Sequence, residues 1–242
     1  MRLDKFIVES GLASRSEIAR SARNGAITVN GLVVRKASVH IDPTADEIAY
    51  CGKTVVYREF SYIMLNKPDG YVSATDDDRF PTVLSLLPDE LQKIGLFPCG
   101  RLDKNTFGLM ILTNNGPLSH KLLAPKNHVS KKYRFTVKFP LSDEDVKRLE
   151  AGVDIGGYFT APCRVELTDE KNGFITLTEG KYHQIKLMAE AVHNQITYLE
   201  RVAFGPITLD ESLERGKWRY LTDEEQEMLI SHGKSIKDVH SS

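Results

Sequence analysis

The stretch GRLDKNTFGLMILTNNG, residues 100–116, contains a single carboxylate, Asp103, between Arg101 and Lys104. An Asp that precedes polar residues most often begins a turn, and its position between two apolar runs favours that role. A carboxylate that nearby positive charge keeps ionised can instead attack an electron-poor atom or stabilise its charge. The local sequence therefore leaves two interpretations open, a turn residue and a catalytic acid.

Positive charge is concentrated in two zones, although the formal net charge of the 242 residues is -1. Residues 1–41 hold seven Lys/Arg against three Asp/Glu, which gives +4, and residues 104–142 hold seven Lys/Arg and no acid. A single basic zone is explained as well by a solvated surface. Two such zones in one chain favour a polyanionic partner.

Several classes of protein are excluded by the remaining polar residues. The three cysteines, at positions 51, 99 and 163, are widely spaced, which predicts reduced thiols and no zinc cluster. The histidines never take a metal-ligand spacing, and no glycine-rich phosphate loop is present, so we expect neither a metal nor another cofactor. The charged N-terminal segment and the absence of an apolar run near ~20 residues predict a cytoplasmic protein that does not contact membranes.

Two short helices are predicted at the start of the chain. Leu3, Phe6 and Ile7 form an apolar stripe at helical spacing. Ser14 and Glu17 match the S-x-x-E capping box that begins a second helix.

One face of the second helix is basic, and a hairpin follows it. Arg15, Arg20 and Arg23 fall within about 140° of one another on a helical wheel. In ITVNGLVVR, Asn30 and Gly31 separate two β-branched runs, which is a strong signal for a tight hairpin.

From residue 60 onward the sequence alternates strands, short turns and occasional helices, which predicts an α+β fold with a largely antiparallel sheet and flanking helices. The predicted strands lie in SYIMLNKPDGYVS, LFPCGRL, GLMILT, KKYRFTVKF, CRVELT and GFITLT. The predicted helices lie in TVLSLL, PLSHKLLA, SDEDVKRLEAG, residues 182–192 and TDEEQEMLISH. The segment GKSIKDVHSS is expected to be a loose tail.

The motifs R-L-D-K-F-I, S-R-S-E-I-A-R and G-A-I-T-V-N-G resemble the alpha-L RNA-binding domain of a small-subunit ribosomal protein and of tyrosyl-tRNA synthetases. The resemblance covers roughly residues 1–48. It implies that Arg15, Arg20 and Arg23 contact RNA, because they have no visible role in the core.

Four blocks together resemble the pseudouridine synthases of ribosomal RNA, in the branch that acts on 16S (small-subunit) rRNA. These blocks are LNKPDGYVSATDD, GRLDKNTFGLMILT, KKYRFTV and EGKYHQIKLM. The resemblance implies an alpha-L RNA-binding domain at residues 1–58 and a catalytic domain at residues 60–242. The sheet of the catalytic domain is then mixed, largely antiparallel, and forms two halves with the active cleft between them.

The same resemblance assigns the site residues. Asp103 falls on the family's catalytic acid, Tyr133 on the tyrosine that stacks on the flipped base, and Lys186 on the basic residue that pairs with the acid. Arg101 matches an arginine linked to opening of the target site, although a phosphate contact or an ordinary surface charge explains it equally well.

Further RNA contacts are expected from residues near these blocks. Lys67 and Tyr71 are predicted to line the RNA groove, and the phosphate contacts are expected from Lys121, Lys126, Lys131 and Lys132. The chain departs from the resemblance at Leu187, Ala189 and His193, which stand at its Arg, Phe and Gly positions. We expect a monomer that acts on small-subunit rRNA, either free or in an assembly intermediate.

Two other functions are compatible with parts of the sequence. A non-catalytic RNA-binding or ribosome-assembly protein would use the N-terminal module and keep the larger domain as a scaffold. A nucleoside or sugar hydrolase would need a second carboxylate beside Asp103, and the blocks offer Asp76, Asp77, Asp78 and Glu179.

Overall fold

The computed structural model describes residues 1–56 and 58–235, which divide into two compact units. The first unit comprises Met1–Ser61 and Leu87–Leu96, and the second comprises Tyr62–Leu86 and Phe97–Ser242. Residues 87–96 thus cluster with the N-terminal unit, although the sequence placed them in the catalytic domain. None of the helices in the described part of the chain has the length and hydropathy of a membrane span. The expected tail is helical up to residue 235, and the rest of it lies outside the described residues.

The first unit packs short helices against a small sheet. Ser14 caps the second helix: its hydroxyl accepts the Glu17 N–H, and the Glu17 carboxylate accepts the Ser14 N–H, so the predicted capping box is confirmed. The elements of this unit are α1 (Leu3–Glu9), α2 (Arg15–Arg23), β1 (Ile27–Val29), β2 (Leu32–Val33), β3 (Ile48–Tyr50), β4 (Lys53–Thr54) and α3 (Asp89–Gln92).

The predicted hairpin is also confirmed. Asn30 and Gly31 join β1 to β2, with φ angles of 51° and 77°. Positive φ at both central residues is what a two-residue turn of type I′ requires. The described strands of this sheet lie in the order β2-β1-β3-β4.

The second unit is built on a mixed sheet. Its described strands lie in the order β13-β5-β7-β11-β8-β10-β9, where β11 runs parallel to β7 and the other neighbours pair antiparallel. The elements are β5 (Tyr62–Lys67), β6 (Phe97–Pro98), β7 (Phe107–Thr113), α4 (Gly116–Leu123), β8 (Lys131–Val137), α5 (Asp143–Ala151), β9 (Arg164–Leu167), β10 (Asn172–Leu177), α6 (Gln184–Ala191), β11 (Ile196–Phe204), β12 (Ile207–Thr208), β13 (Trp218–Tyr220) and α7 (Asp223–Ser235). The predicted helix in TVLSLL is a 3-10 helix, Val83–Leu86.

The centre of this sheet explains the second glycine of the GRLDKNTFGL block. Gly108 begins the buried part of β7 and pairs with Arg201 of β11, which in turn pairs with Tyr133 of β8. Gly108 has a φ of 97°, and a Cβ atom there would collide with the Arg201 carbonyl oxygen. A glycine therefore lets β11 approach the start of β7, and it brings the strand of Tyr133 near the turn that contains Asp103.

Helix α6 packs on the face of the sheet to which Tyr133 belongs. Phe135, two residues after Tyr133 and hence on the same face, lines a small apolar cavity together with Ile185 and Met188 of α6. This packing fixes the helix on which Lys186 lies.

Candidate active site

Asp103 lies in the turn between β6 and β7. Its carbonyl oxygen accepts the N–H of Thr106 at 3.0 Å, so the backbone forms the turn that the sequence suggests. The side chain does something else: it is 25% exposed, and its Oδ2 accepts a hydrogen bond from Lys186 Nζ at 2.7 Å. The preceding residue is anchored on both sides, because Ser73 Oγ donates to the Leu102 carbonyl and accepts the Leu102 N–H. Asp103 therefore begins a turn and presents its carboxylate to another element.

Lys186 is held between two acceptors. Besides Asp103 Oδ2, its ammonium donates to Asn105 Oδ1 at 2.6 Å. An ammonium group is compact and rotates easily, so a second fixed acceptor restricts where its charge lies. The sequence did not single out Asn105, which lies two residues after Asp103 in the same block.

His183 is a second basic neighbour of Asp103 that the sequence did not predict. Its Nε2 is 3.7 Å from Asp103 Oδ1, so each carboxylate oxygen has its own nitrogen neighbour. His183 caps α6 with a left-handed backbone, φ 51°. A non-glycine residue adopts this conformation at a cost, and such residues concentrate at functional sites.

Lys67 does not line an RNA groove, and that prediction is wrong. Its side chain is fully buried, at 0% exposure. Its ammonium donates to the carbonyl oxygens of Pro68, Lys104 and Thr106 at 2.9–3.1 Å. Because Lys104 and Thr106 lie one and three residues after Asp103, Lys67 holds the turn that carries the acid.

We expect Lys67→Met to change how stability depends on pH. Burial lowers the pKa of Lys67 to about 8, from an ordinary value of 10.5. Between these values the unfolded chain binds more protons than the folded one, so the wild-type free energy of unfolding rises with pH relative to that of the variant. The difference in unfolding free energy between wild type and variant should grow by about 3 kcal/mol as the pH rises from the folded pKa to the unfolded one. Urea unfolding of both proteins through this pH range measures it.

The exposed lysine Lys171 provides the matched control, because Lys171→Met removes a charge that water already solvates. Its stability difference from wild type should stay flat over the same pH range. A flat difference for Lys67→Met as well would contradict the burial argument.

Tyr133 lies on β8 opposite Arg201 and Ile175 of the neighbouring strands. Its side chain is 8% exposed, and within the described residues its hydroxyl has no hydrogen-bond partner. Arg201, which the sequence analysis missed, is 1% exposed and donates from Nε to the Leu109 carbonyl at 2.8 Å. Arg201 thus ties β11 to β7 beneath the site, and the role predicted for Tyr133 stays a prediction.

Two of the predicted phosphate contacts already have protein partners. Lys132 Nζ is 2.9 Å from Glu166 Oε2, and as the neighbour of Tyr133 on one strand it lies on the opposite face of the sheet. Lys131 donates to the Val129 carbonyl at 2.8 Å, and burial lowers its pKa to about 8. Both ammonium groups therefore already have a partner within the protein, and their predicted phosphate contacts stay predictions.

The other predicted RNA contacts remain open. Those that are half-buried are Tyr71 and Lys121, and those that are exposed are Arg15, Arg20, Arg23, Arg101 and Lys126. No group of three or more acidic, histidine or cysteine side chains that could hold a metal ion occurs among the described residues.

The end of α6 accounts for one departure from the resemblance. His193 stands at the glycine position and has a φ of 58°, a left-handed conformation that glycine adopts without strain. Ala189 is buried and Leu187 is half-buried, so these two departures alter the packing of α6 rather than the contacts of Asp103.

Comparisons with known proteins agree with this geometry. The sequence profile of the RNA pseudouridylate synthase family matches residues 61–191, and that of the S4 domain matches residues 1–48, the segment that resembles the alpha-L domain. The chain is 45% identical over 234 residues to the uncharacterized RNA pseudouridine synthase YtzG of Bacillus subtilis, a match that covers 95% of this chain and 98% of that one.

Two further relatives cover nearly the whole chain. Ribosomal small subunit pseudouridine synthase A of Escherichia coli is 40% identical over 228 residues, which is 93% of this chain and 98% of that protein. A crystal structure of a pseudouridylate synthase superposes with a TM-score of 0.67 at 37% identity, covering 95% of this chain and 99% of that one. A family match over more than half of the chain and full-length relatives at this identity lead to one conclusion. This chain is a member of the RNA pseudouridine synthase family and carries an N-terminal S4 domain.

Proposed function

We propose that this enzyme converts a uridine of small-subunit ribosomal RNA to pseudouridine, with Asp103 as its catalytic carboxylate. The observation that carries the proposal is the Asp103–Lys186 pair, 2.7 Å long, in the turn before β7. Relatives whose names specify the small ribosomal subunit are 38% and 40% identical to this chain over 95% and 93% of its length. The proposal includes a cytoplasmic monomer, RNA binding by residues 1–58 and catalysis by residues 60–242, on free rRNA or an assembly intermediate.

Uridine isomerisation needs only one carboxylate. The bond between C1′ of the ribose and N1 of uracil breaks, the base turns, and a new bond joins C1′ to C5. Asp103 attacks C1′ or stabilises its positive charge while the glycosidic bond is broken. The uracil anion spreads its charge over two carbonyl groups, so it leaves without the acid that an alcohol leaving group requires. The C5 proton then departs and N1 takes up a proton, so no atoms are gained or lost.

The remaining site residues take roles that follow from their surroundings. Tyr133 stacks on the flipped base, and its hydroxyl, which has no partner among the described residues, takes up the C5 proton as it gives its own proton to water. Lys186 orients Asp103, and its charge favours the uracil anion that forms. Arg101, which is exposed, contacts the RNA at the opened target site.

Two of the four carboxylates that a hydrolase could pair with Asp103, Glu179 and Asp77, have hydrogen-bond partners of their own. Glu179 accepts hydrogen bonds from the Tyr158 hydroxyl, the Gln184 side chain and a backbone N–H, so its oxygens already serve the local structure. The Asp77 carboxylate accepts two backbone N–H groups of its own turn. The Lys186 ammonium beside Asp103 suits isomerisation, because its charge can hold the uracil anion near the sugar while the base turns.

Incubation of the pure protein with unmodified small-subunit rRNA tests the proposal. We expect one new carbodiimide-dependent primer-extension stop, either on free RNA or on partly assembled subunits. The absence of a stop on both substrates, with RNA binding intact, would favour the non-catalytic RNA-binding protein.

Replacement of Arg15, Arg20 and Arg23 by Ala should weaken RNA binding and flatten its salt dependence. The three exposed side chains lie on α2, and each phosphate contact contributes a slope of about 0.7–0.9 on a log–log plot. We therefore expect the slope to fall by about two units while kcat at saturating RNA is retained. Titrations at several salt concentrations measure this slope.

A triple Ala variant of Lys147, Lys171 and Lys234 removes the same charge from exposed positions of the second unit. It should keep most of the salt slope. Equal slopes for the arginine variant and the wild type would show that α2 does not contact RNA.

A further inference from the structure

An exposed aromatic ring stands beside the site, and no role described above accounts for it. Tyr182 is 75% exposed, although its ring is large and largely apolar. It is stacked on His183, with ring centroids 3.9 Å apart and planes inclined by 16°. One face of the tyrosine is therefore covered by the imidazole, and most of the side chain is open to solvent.

The stack leads directly to the catalytic carboxylate. His183 Nε2 is 3.7 Å from Asp103 Oδ1, so one imidazole contacts both the Tyr182 ring and the acid. The left-handed backbone of His183 and the fixed start of α6, where Gln184 bonds Glu179 and the Lys181 N–H, hold this arrangement. A flat, exposed aromatic surface is thus linked to the carboxylate through a single side chain.

We propose that Tyr182 is a stacking platform for the base of a nucleotide adjacent to the target uridine. The inference rests on the proposed function and adds a binding subsite to it. When the sugar of the target uridine lies at Asp103, the flanking nucleotides lie close by, because they share its backbone. Flipping the target base out of the stack leaves a flanking base without its stacking partner. Proteins that bind single-stranded RNA replace such lost stacking with exposed aromatic rings.

Local charge supports a nucleotide as the occupant. Lys181 precedes Tyr182 and is exposed, with its ammonium 4.1 Å from the centre of the Tyr158 ring. A lysine at the edge of the platform can reach the phosphate that links the stacked nucleotide to its neighbour. Since every base has an aromatic face, we expect the platform to secure the RNA with little preference for one base.

The test uses a short RNA that contains the modified uridine and versions with an abasic residue on its 5′ or 3′ side. On the intact RNA, Tyr182→Ala should raise KM by about five- to a hundredfold with a smaller effect on kcat. Tyr182→Phe should behave as wild type, because stacking needs the ring and not the hydroxyl. An abasic residue on one side should raise the KM of the wild type by the same factor. It should not raise the KM of Tyr182→Ala any further.

Phe139 provides the control, since it is 52% exposed but lies beyond the end of β8 that is remote from Tyr133. Phe139→Ala should keep the wild-type KM. If the wild type forms pseudouridine and Tyr182→Ala has an unchanged KM on every RNA, the stacking inference is overturned and the proposed function stands. If the wild type forms no pseudouridine on any small-subunit RNA, the proposed function fails and the inference fails with it.

Discussion

We expect Asp103→Asn to form no detectable pseudouridine while it binds RNA at least as tightly as the wild type. The amide keeps the size and the hydrogen-bonding reach of the carboxylate but removes the charge that attacks or stabilises C1′. The turn should survive, because its bond runs from the Thr106 N–H to the Asp103 backbone carbonyl and does not involve the side chain. Loss of a negative charge beside bound phosphates should hold or improve affinity.

Asp77→Asn is the matched control for this variant. Asp77 is an exposed turn residue whose carboxylate accepts the N–H groups of Arg79 and Phe80 at 2.8–2.9 Å, a role that Asn can fill. Carbodiimide mapping should therefore show wild-type pseudouridine formation for Asp77→Asn and none for Asp103→Asn. Activity of Asp103→Asn within a few-fold of wild type would return Asp103 to the role of a turn residue.

The sequence located the acid and, through the family resemblance, its partner Lys186, but not the other residues that hold them. Asp103 and Lys186 are 83 positions apart, and only their place in two recognisable blocks linked them in advance. Asn105 and His183 stood inside the same blocks and were passed over. Their roles depend on reach across the fold, which local spacing does not encode. Both are neutral or weakly basic residues of types that occur in any turn or helix cap, so no composition signal marks them.

The wrong assignment of Lys67 has an identifiable physical cause. A lysine inside LNKPDGYVSATDD, a block shared with RNA-modifying enzymes, suggests an RNA contact. Yet Lys67 ends YIMLNK, a strand whose six residues are all buried. The apolar run that precedes it was a signal of burial on both faces of the sheet. The carbonyl oxygens of Lys104 and Thr106 in the Asp103 turn, and that of the adjacent Pro68, compensate the buried ammonium, and sequence patterns do not reveal such backbone partners.

Strand β11, the longest of the described strands, was missed for a related reason. The sequence ITYLERVAF has a charged pair in its middle, which breaks the apolar pattern of a central strand. Both charges are buried: Glu200 pairs with Arg215 at 3.1 Å, and Arg201 donates to the Leu109 carbonyl. Without β11, the parallel pairing with β7 could not be assigned, although the mixed sheet was expected from the family resemblance.

Lys186→Met should lower kcat by about a hundredfold and leave the dissociation constant for RNA nearly unchanged. The substitution keeps a flexible side chain of similar length but removes the donor that fixes Asp103 Oδ2 at 2.7 Å. A carboxylate that is free to rotate loses the orientation it needs at C1′. A misplacement of about 1 Å lowers a reaction rate by about a hundredfold. The uracil anion also loses a nearby positive charge. Single-turnover rates at saturating RNA, measured beside binding titrations, separate these effects from RNA affinity.

Three further variants decide whether the contact or the charge matters. Lys147→Met, on the exposed surface of α5, tests an ordinary helix lysine and should retain wild-type rates. Lys186→Arg should recover part of the lost rate, because it restores the charge with a different donor geometry. Asn105→Ala should lower kcat less than Lys186→Met does, since it removes the second acceptor of the ammonium, at 2.6 Å, and leaves the ion pair in place. If Lys186→Met matched Lys147→Met in rate, the Lys186–Asp103 ion pair would have no part in the reaction.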